Sequence, residues 1–143
     1  MPDYSSFPFP ATVLVVDDED DLREAMRRML DRRGFQTLVA AGPVEAESLC
    51  EHYDGVIDVL LTDLGMPAAS GGDLARTLTR MRPELRVVYV SGLPKEVAVD
   101  KGLLGPADPL LQKPFTFDAL VTAVRDMLMV RSPAVVENAA DCG

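Results

Sequence analysis

The chain has 143 residues, 48% hydrophobic and 26% charged, with a net charge of -9 and two cysteines. That length closes one core without disulfides or a structural metal, and the composition is globular rather than disordered or membrane-spanning. The acidic excess argues against nonspecific nucleic-acid binding, whose affinity comes mainly from Lys and Arg neutralising phosphates, and suits a divalent cation or a basic protein partner.

No apolar run approaches the roughly 18 residues of a membrane span, and the N-terminus lacks the segments of a secretory signal. A cytoplasmic chain without membrane contact is expected. Cys50 and Cys142 are far apart in sequence, so neither a CxxC motif nor a disulfide framework exists, and both are read as reduced, incidental thiols.

Residues 1–10 (MPDYSSFPFP) hold three prolines and no period, which reads as an extended arm or linker. Thr12 to Val16 is an unalternating apolar run, as expected of a strand covered on both faces, and it ends in Asp17-Asp18. Asp20 is a candidate cap for a first helix, with Leu22, Ala25, Met26, Met29 and Leu30 on one face and arginines on the other; Gly34 ends it. Phe35 to Ala40 is a second strand, and Pro43 to Glu51 a second helix.

The third strand lies within Val56 to Pro67 (VIDVLLTDLGMP), where a buried run delivers Asp63 to its carboxyl end. Residues 68–72 form a loop of small residues, and Asp73 to Met81 a helix with Leu74, Leu78 and Met81 on one face. Met26, Met29 and Met81 are expected as core filler. Arg86 to Val90 is the fourth strand, ending in Ser91-Gly92; Lys95 to Leu104 is a weak helix; Leu110 to Gln112 is the fifth strand, ending in Lys113-Pro114. Thr116 to Val130 is a last amphipathic helix, and Ser132 to Gly143 a polar tail. This alternation predicts one α/β domain over residues 11–131, a doubly wound five-stranded parallel sheet with five helices on its two faces.

Open α/β sheets bind ligands outside the carboxyl ends of their strands, and here those ends bring Asp17, Asp18, Asp63, Ser91 and Lys113. Three carboxylates at close range repel unless a cation offsets them. Mg²⁺ suits such a set, because it takes one or two carboxylates, a carbonyl and waters and leaves room for phosphate oxygens. A carboxylate beside a metal and a lysine is placed to attack a phosphoryl donor, and Ser91 to bond a phosphoryl oxygen. Taken singly these residues mean little: Asp17 or Asp18 alone is a helix cap, Asp63 a turn residue, Lys113 a solvated lysine. Their shared edge makes them a site.

VLVVDDEDDLREAMRRML, LLTDLGMP, VVYVSG and LLQKPFTFDAL closely resemble the four motif regions of receiver domains from two-component response regulators, in order and at matching intervals. The wording is most similar to receivers at the C-terminus of hybrid sensor histidine kinases. The resemblance implies a flavodoxin-like fold with Asp63 as phosphoacceptor, Asp18 as a direct Mg²⁺ ligand, Asp17 acting largely through water, and the Gly65 carbonyl completing the protein ligands. It further implies that Lys113 pairs with the phosphoryl group, with a cis peptide before Pro114, that Ser91 moves towards the phosphate, and that the Gly65 and Gly92 amides donate to it. The donor is a histidine kinase or histidine phosphotransfer protein. Self-phosphorylation and autodephosphorylation are the only chemistry expected, and output passes to a protein partner, not to nucleic acid.

Two departures from the family pattern stand out. Leu110 occupies a position that is aromatic in many receivers, so output must use backbone and fourth-helix movement. Gly65 offers no side chain to shield a phosphate from water. Two rival readings exist. A haloacid dehalogenase-type phosphatase matches Asp18-Glu19-Asp20 but requires a hydroxyl where Leu22 stands, and a pseudo-receiver that only binds partners usually lacks part of the acidic pocket. His52 is read as an exposed residue late in the second helix, and Arg23, Arg27, Arg28, Arg32 and Arg33 as a solvated face.

Overall fold

A computed structural model describes residues 10–65 and 70–129. In chain order the elements are β1 (Thr12–Val16), α1 (Asp20–Arg32), β2 (Gln36–Ala40), α2 (Pro43–His52), β3 (Val59–Asp63), α3 (Gly71–Met81), β4 (Arg86–Ser91), α4 (Lys95–Asp100), β5 (Leu110–Gln112) and α5 (Phe117–Leu128). The expected doubly wound fold is the observed one: one five-stranded sheet, order β2-β1-β3-β4-β5, with every pairing parallel. Residues 1–9 of the expected arm, the tail, Val130, Cys142 and the first loop residues after Gly65 lie outside the described residues.

The unalternating strands are explained by two cores. Val13, Val15, Val59 and Leu61 turn to one face and pack with Met26 and Leu30 of α1 and Leu120 and Val124 of α5. Leu14, Val16 and Leu60 turn to the other and meet Ala46 and Cys50 of α2 and Leu74, Ala75 and Leu78 of α3. Successive strand residues point to opposite faces, so a strand buried on both must be apolar throughout. A smaller cluster of Leu64, Ala98 and Leu104 seats α4.

Several boundaries differ from expectation, each for a local reason. The residue preceding α1 is Glu19, not Asp20, and its amide is taken by the Asp17 carboxylate. Phe35 precedes β2 and is buried in the α1/α5 core. The third strand starts at Val59, because the Asp58 carboxylate turns back to accept from the Thr12 amide at 2.8 Å. Helix α3 starts two residues early, at Gly71, capped by the Ser70 hydroxyl. Helix α4 stops at Asp100; Gly102, at φ +74°, reverses the chain there, and Leu104 reaches the core from the following loop. In α5, Thr116 is the cap and accepts from the Ala119 amide. Met26 is core and Met29 packs against it, but Met81, at 39% exposure, is a surface residue at the last position of α3.

Arg82, just past α3, donates to the carbonyls of Cys50, Tyr53 and Gly55. One guanidinium thereby closes the end of α2 and the turn into β3, using its planar fork of donors.

Candidate functional site

The parallel register decides which side chains meet. Val16 pairs with Thr62, so β1 and β3 release Asp17 and Asp63 at one level of the sheet. Ser91 of β4 pairs with Gln112 of β5, and the Lys113 amide donates to the Ser91 carbonyl at 2.8 Å. The crevice lies where strand order reverses, between β1 and β3, which is where doubly wound folds place ligands.

Carboxylate oxygens of Asp17, Asp18 and Asp63 lie within 4.8 Å of one another. Asp17 is fully buried, Asp18 exposed and Asp63 between them. Lys113 Nζ donates to Asp63 Oδ2 at 3.2 Å and stands at a looser 3.5 Å from Asp17 Oδ2. The Lys113–Pro114 peptide is cis, as the motif implied. Gly65 donates its amide to Asp63 Oδ1 at 3.1 Å, and among the described residues nothing beyond the adjoining chain stands within 4 Å of where a Cβ of Gly65 or Gly92 would lie. Ser91 is buried, with its hydroxyl accepting from the Leu93 amide at 3.0 Å. The five polar side chains predicted from the sequence are thus gathered at one edge. Leu110 is half-buried in the α4 cluster, opposite Tyr89 of β4.

Burial pushes the Asp17 carboxyl above its ordinary range; the Glu19 amide and Lys113 pull against that, and the Asp63 charge adds to it. Burial likewise pulls Lys113 down, but Asp17 and Asp63 outweigh it and hold the ammonium above the usual lysine value. One lysine therefore faces two carboxylates, beside a third. Three hard oxygen donors on a partly open edge fit a small divalent cation.

Sequence reasoning missed two residues. Arg23, taken for part of a solvated face, is only 19% exposed and donates to the Asp17 carbonyl at 2.8 Å. Its signal was positional: it lies one turn into α1 from the acidic pair. Gly71, taken for loop, begins α3 with its amide on the Leu64 carbonyl at 3.0 Å. A Cβ there would overlap the Asp63 carbonyl oxygen and stand 2.9 Å from Leu64 Cα, so only glycine lets α3 pack on the strand end that carries Asp63.

The profile of the response regulator receiver domain family matches residues 13–125. The chain belongs to that family. Among curated relatives, it is 38% identical over 121 residues to sensor kinase CckA of Brucella abortus, covering 82% of this chain and 12% of the kinase. It is 32% identical over 118 residues to the sensory transduction protein RegX3 of Mycobacterium tuberculosis, covering 82% of this chain and 50% of that one. The chain therefore spans no more than half the length of either. Among solved structures, a receiver protein from Sinorhizobium medicae superposes with a TM-score of 0.72 at 29% identity, over 86% of this chain and 98% of that one. The receiver domain of the hybrid histidine kinase CckA gives 0.69 at 28%, over 83% and 100%. This receiver is thus similar to those of hybrid kinases, and phosphoacceptor function in two-component signalling comes with the membership. Among the described residues no helix is long and apolar enough to cross a membrane.

A carboxyl whose folded pKa exceeds its unfolded value makes the fold lose stability as pH rises from the ordinary 3.8 through the raised value, after which the penalty is constant. Metal-free Asp17→Asn is therefore expected to melt above wild type at about pH 8, an advantage that closes towards about pH 4. Calorimetry at the two pH values checks it; a variant melting below wild type at the higher pH contradicts it.

Proposed function

We propose that Asp63 takes a phosphoryl group from a phosphohistidine of a histidine kinase or histidine phosphotransfer protein, and that the acyl phosphate switches a partner-binding surface. The observation that carries this is the placement of Lys113 Nζ 3.2 Å from the carboxylate of Asp63, at the rim of a three-carboxylate cluster.

Mg²⁺, when bound, supplies charge that offsets the phosphoryl oxygens and the carboxylates at once. Asp18, the exposed member of the trio, is the direct ligand in this reading, with Asp63 and the Gly65 carbonyl. Asp17 already receives the Glu19 amide and faces Lys113, which suits a role through water. An oxygen of Asp63 attacks phosphorus, the P–N bond breaks, and the imidazole leaves with the electron pair. Lys113 holds the attacking carboxylate beforehand and pairs with the transferred group afterwards. Amides of Gly65 and Gly92 donate to it. Ser91 exchanges its bond with the Leu93 amide for one to a phosphoryl oxygen, and the contacts made only in that arrangement shift the population towards it.

With Leu110 in place of an aromatic ring, the change reaches the α4, β5 and α5 surface through backbone and α4. Residues 11–131 form the receiver unit in this account. The phosphodonor places the work in the cytoplasm, and the partner is a protein rather than nucleic acid. The chain is no enzyme towards a free substrate; water alone removes the phosphate.

Incubation with Mg²⁺ and acetyl phosphate, followed by intact mass, is expected to give one phosphoryl adduct, absent without Mg²⁺ and absent in Asp63→Asn. An adduct that persists in Asp63→Asn, or none while Mg²⁺ binds, refutes the assignment and favours a partner-binding pseudo-receiver. Among the described residues no atom beyond the adjoining chain stands within 4 Å of a Cβ at Gly65, and Gly65→Arg should slow loss of the adduct several-fold. An unchanged dephosphorylation time course would remove the idea that water reaches the phosphate past Gly65.

A further inference from the structure

We propose that Arg23 is a positioning residue of the cation site, acting by gripping the one peptide unit that joins Asp17 to Asp18. The proposal rests on the reading of these carboxylates as cation ligands.

Each polar group of Asp17 is held. Its amide donates to the Ala40 carbonyl of β2 at 3.2 Å, Oδ1 accepts from the Glu19 amide at 2.8 Å, Oδ2 faces Lys113, and its carbonyl accepts from Arg23 Nη1 at 2.8 Å. That last bond matters most for Asp18. The carbonyl of Asp17 and the amide of Asp18 form one planar unit, so fixing the oxygen fixes the last backbone torsion of Asp17 and with it the place of the Asp18 amide and Cα. Asp18 is exposed and has left the strand, so the β-ladder does not hold it; its direction is set by the turn.

Arg23 is itself well anchored. Its backbone amide donates to the Glu19 carbonyl at 2.9 Å, Nη2 donates to Asp20 Oδ1 at 2.6 Å, and the side chain is 19% exposed. The ion pair with Asp20, itself 84% exposed, is a surface contact of small weight. The charge-assisted bond to the buried residue's carbonyl is the substantive one. Arg27, one turn on, pairs with Glu24 and Asp31 on the helix surface rather than with the three carboxylates, which makes it a matched control.

Sign separates positioning from simple charge. Arg23 is a cation beside a cation site, so Coulomb's law alone predicts that deleting it tightens Mg²⁺ binding. A lost grip on the Asp17–Asp18 peptide predicts the reverse, since outer-shell partners that orient ligands typically contribute 10- to 100-fold in metal affinity. The test is Mg²⁺ titration of the full chain by calorimetry, for wild type, Arg23→Ala, Arg23→Lys and Arg27→Ala, with folding checked by urea midpoint. Arg23→Ala is expected to weaken Mg²⁺ about tenfold or more, Arg23→Lys to recover part of that, and Arg27→Ala to stay within about twofold. The rate of adduct formation from acetyl phosphate should recover at saturating Mg²⁺, because position and not chemistry was lost.

Unchanged or tighter Mg²⁺ binding in folded Arg23→Ala, or equal weakening in Arg27→Ala, overturns the proposal. Should Arg23→Ala fail to fold, Arg23→Gln decides by the same criteria. Wild type that binds Mg²⁺ but forms no adduct removes the phosphoacceptor reading while leaving Arg23 to be judged by affinity; wild type that binds no Mg²⁺ removes both.

Discussion

Like charge held together without enough opposite charge is the constraint on which this molecule turns. Asp17, Asp18 and Asp63 bring carboxylate oxygens within 4.8 Å, with one ammonium, Lys113, between two of them. The rest of the fold has to hold that arrangement against its own repulsion. It does so from below, through the apolar strands β1, β3 and β4 in register, and from the side, through Glu19, Arg23 and Gly65. Burial makes the arrangement costlier for Asp17, and the same burial keeps water from relaxing it. A site that gains from a cation and a phosphoryl group is, by the same physics, uncomfortable without them.

Much of this was legible in the sequence because it depends on short-range patterns. Apolar runs of strand length ending in an acid, a hydroxyl or a lysine report a parallel sheet and its functional edge together. What was not legible depends on where a side chain bends. Arg23, Arg27 and Arg28 occupy one stretch of α1, and composition gives no reason to separate them; only the close approach of the helix start to the β1 end turns Arg23 inwards. Gly71 looked like loop because small residues surround it, whereas its lack of a Cβ is what permits contact with Asp63. Arg82 serves three carbonyls about 30 positions back, a link that no local pattern reveals. Met81 fits the helical period of Leu74 and Leu78, but it is the last residue of α3 and leaves the sheet behind. Helix α4 ran shorter than its apolar residues suggested, because Gly102 reverses the chain and Leu104 reaches the core from a loop.

These features also bear on output. The α4 region rests on a small cluster of Leu64, Ala98 and Leu104, with Tyr89 and Leu110 at its border. Leu64 directly follows Asp63, and its amide donates to the Val90 carbonyl at 2.8 Å, next to Ser91. Rearrangement at the site thus has a short covalent route to the residues beneath α4. Few apolar contacts oppose it, and segments of that kind supply the low-stability end of a fold.

The central claim is that, of three neighbouring carboxylates, Asp63 alone is the nucleophile. The measurement that tests it most directly is borohydride reduction of the phosphorylated chain followed by peptide mapping, since an aspartyl phosphate is reduced to homoserine at the residue that carried it. The account predicts homoserine at position 63 and at neither Asp17 nor Asp18. Homoserine at either of those positions, or at an acidic residue outside the crevice, would contradict it.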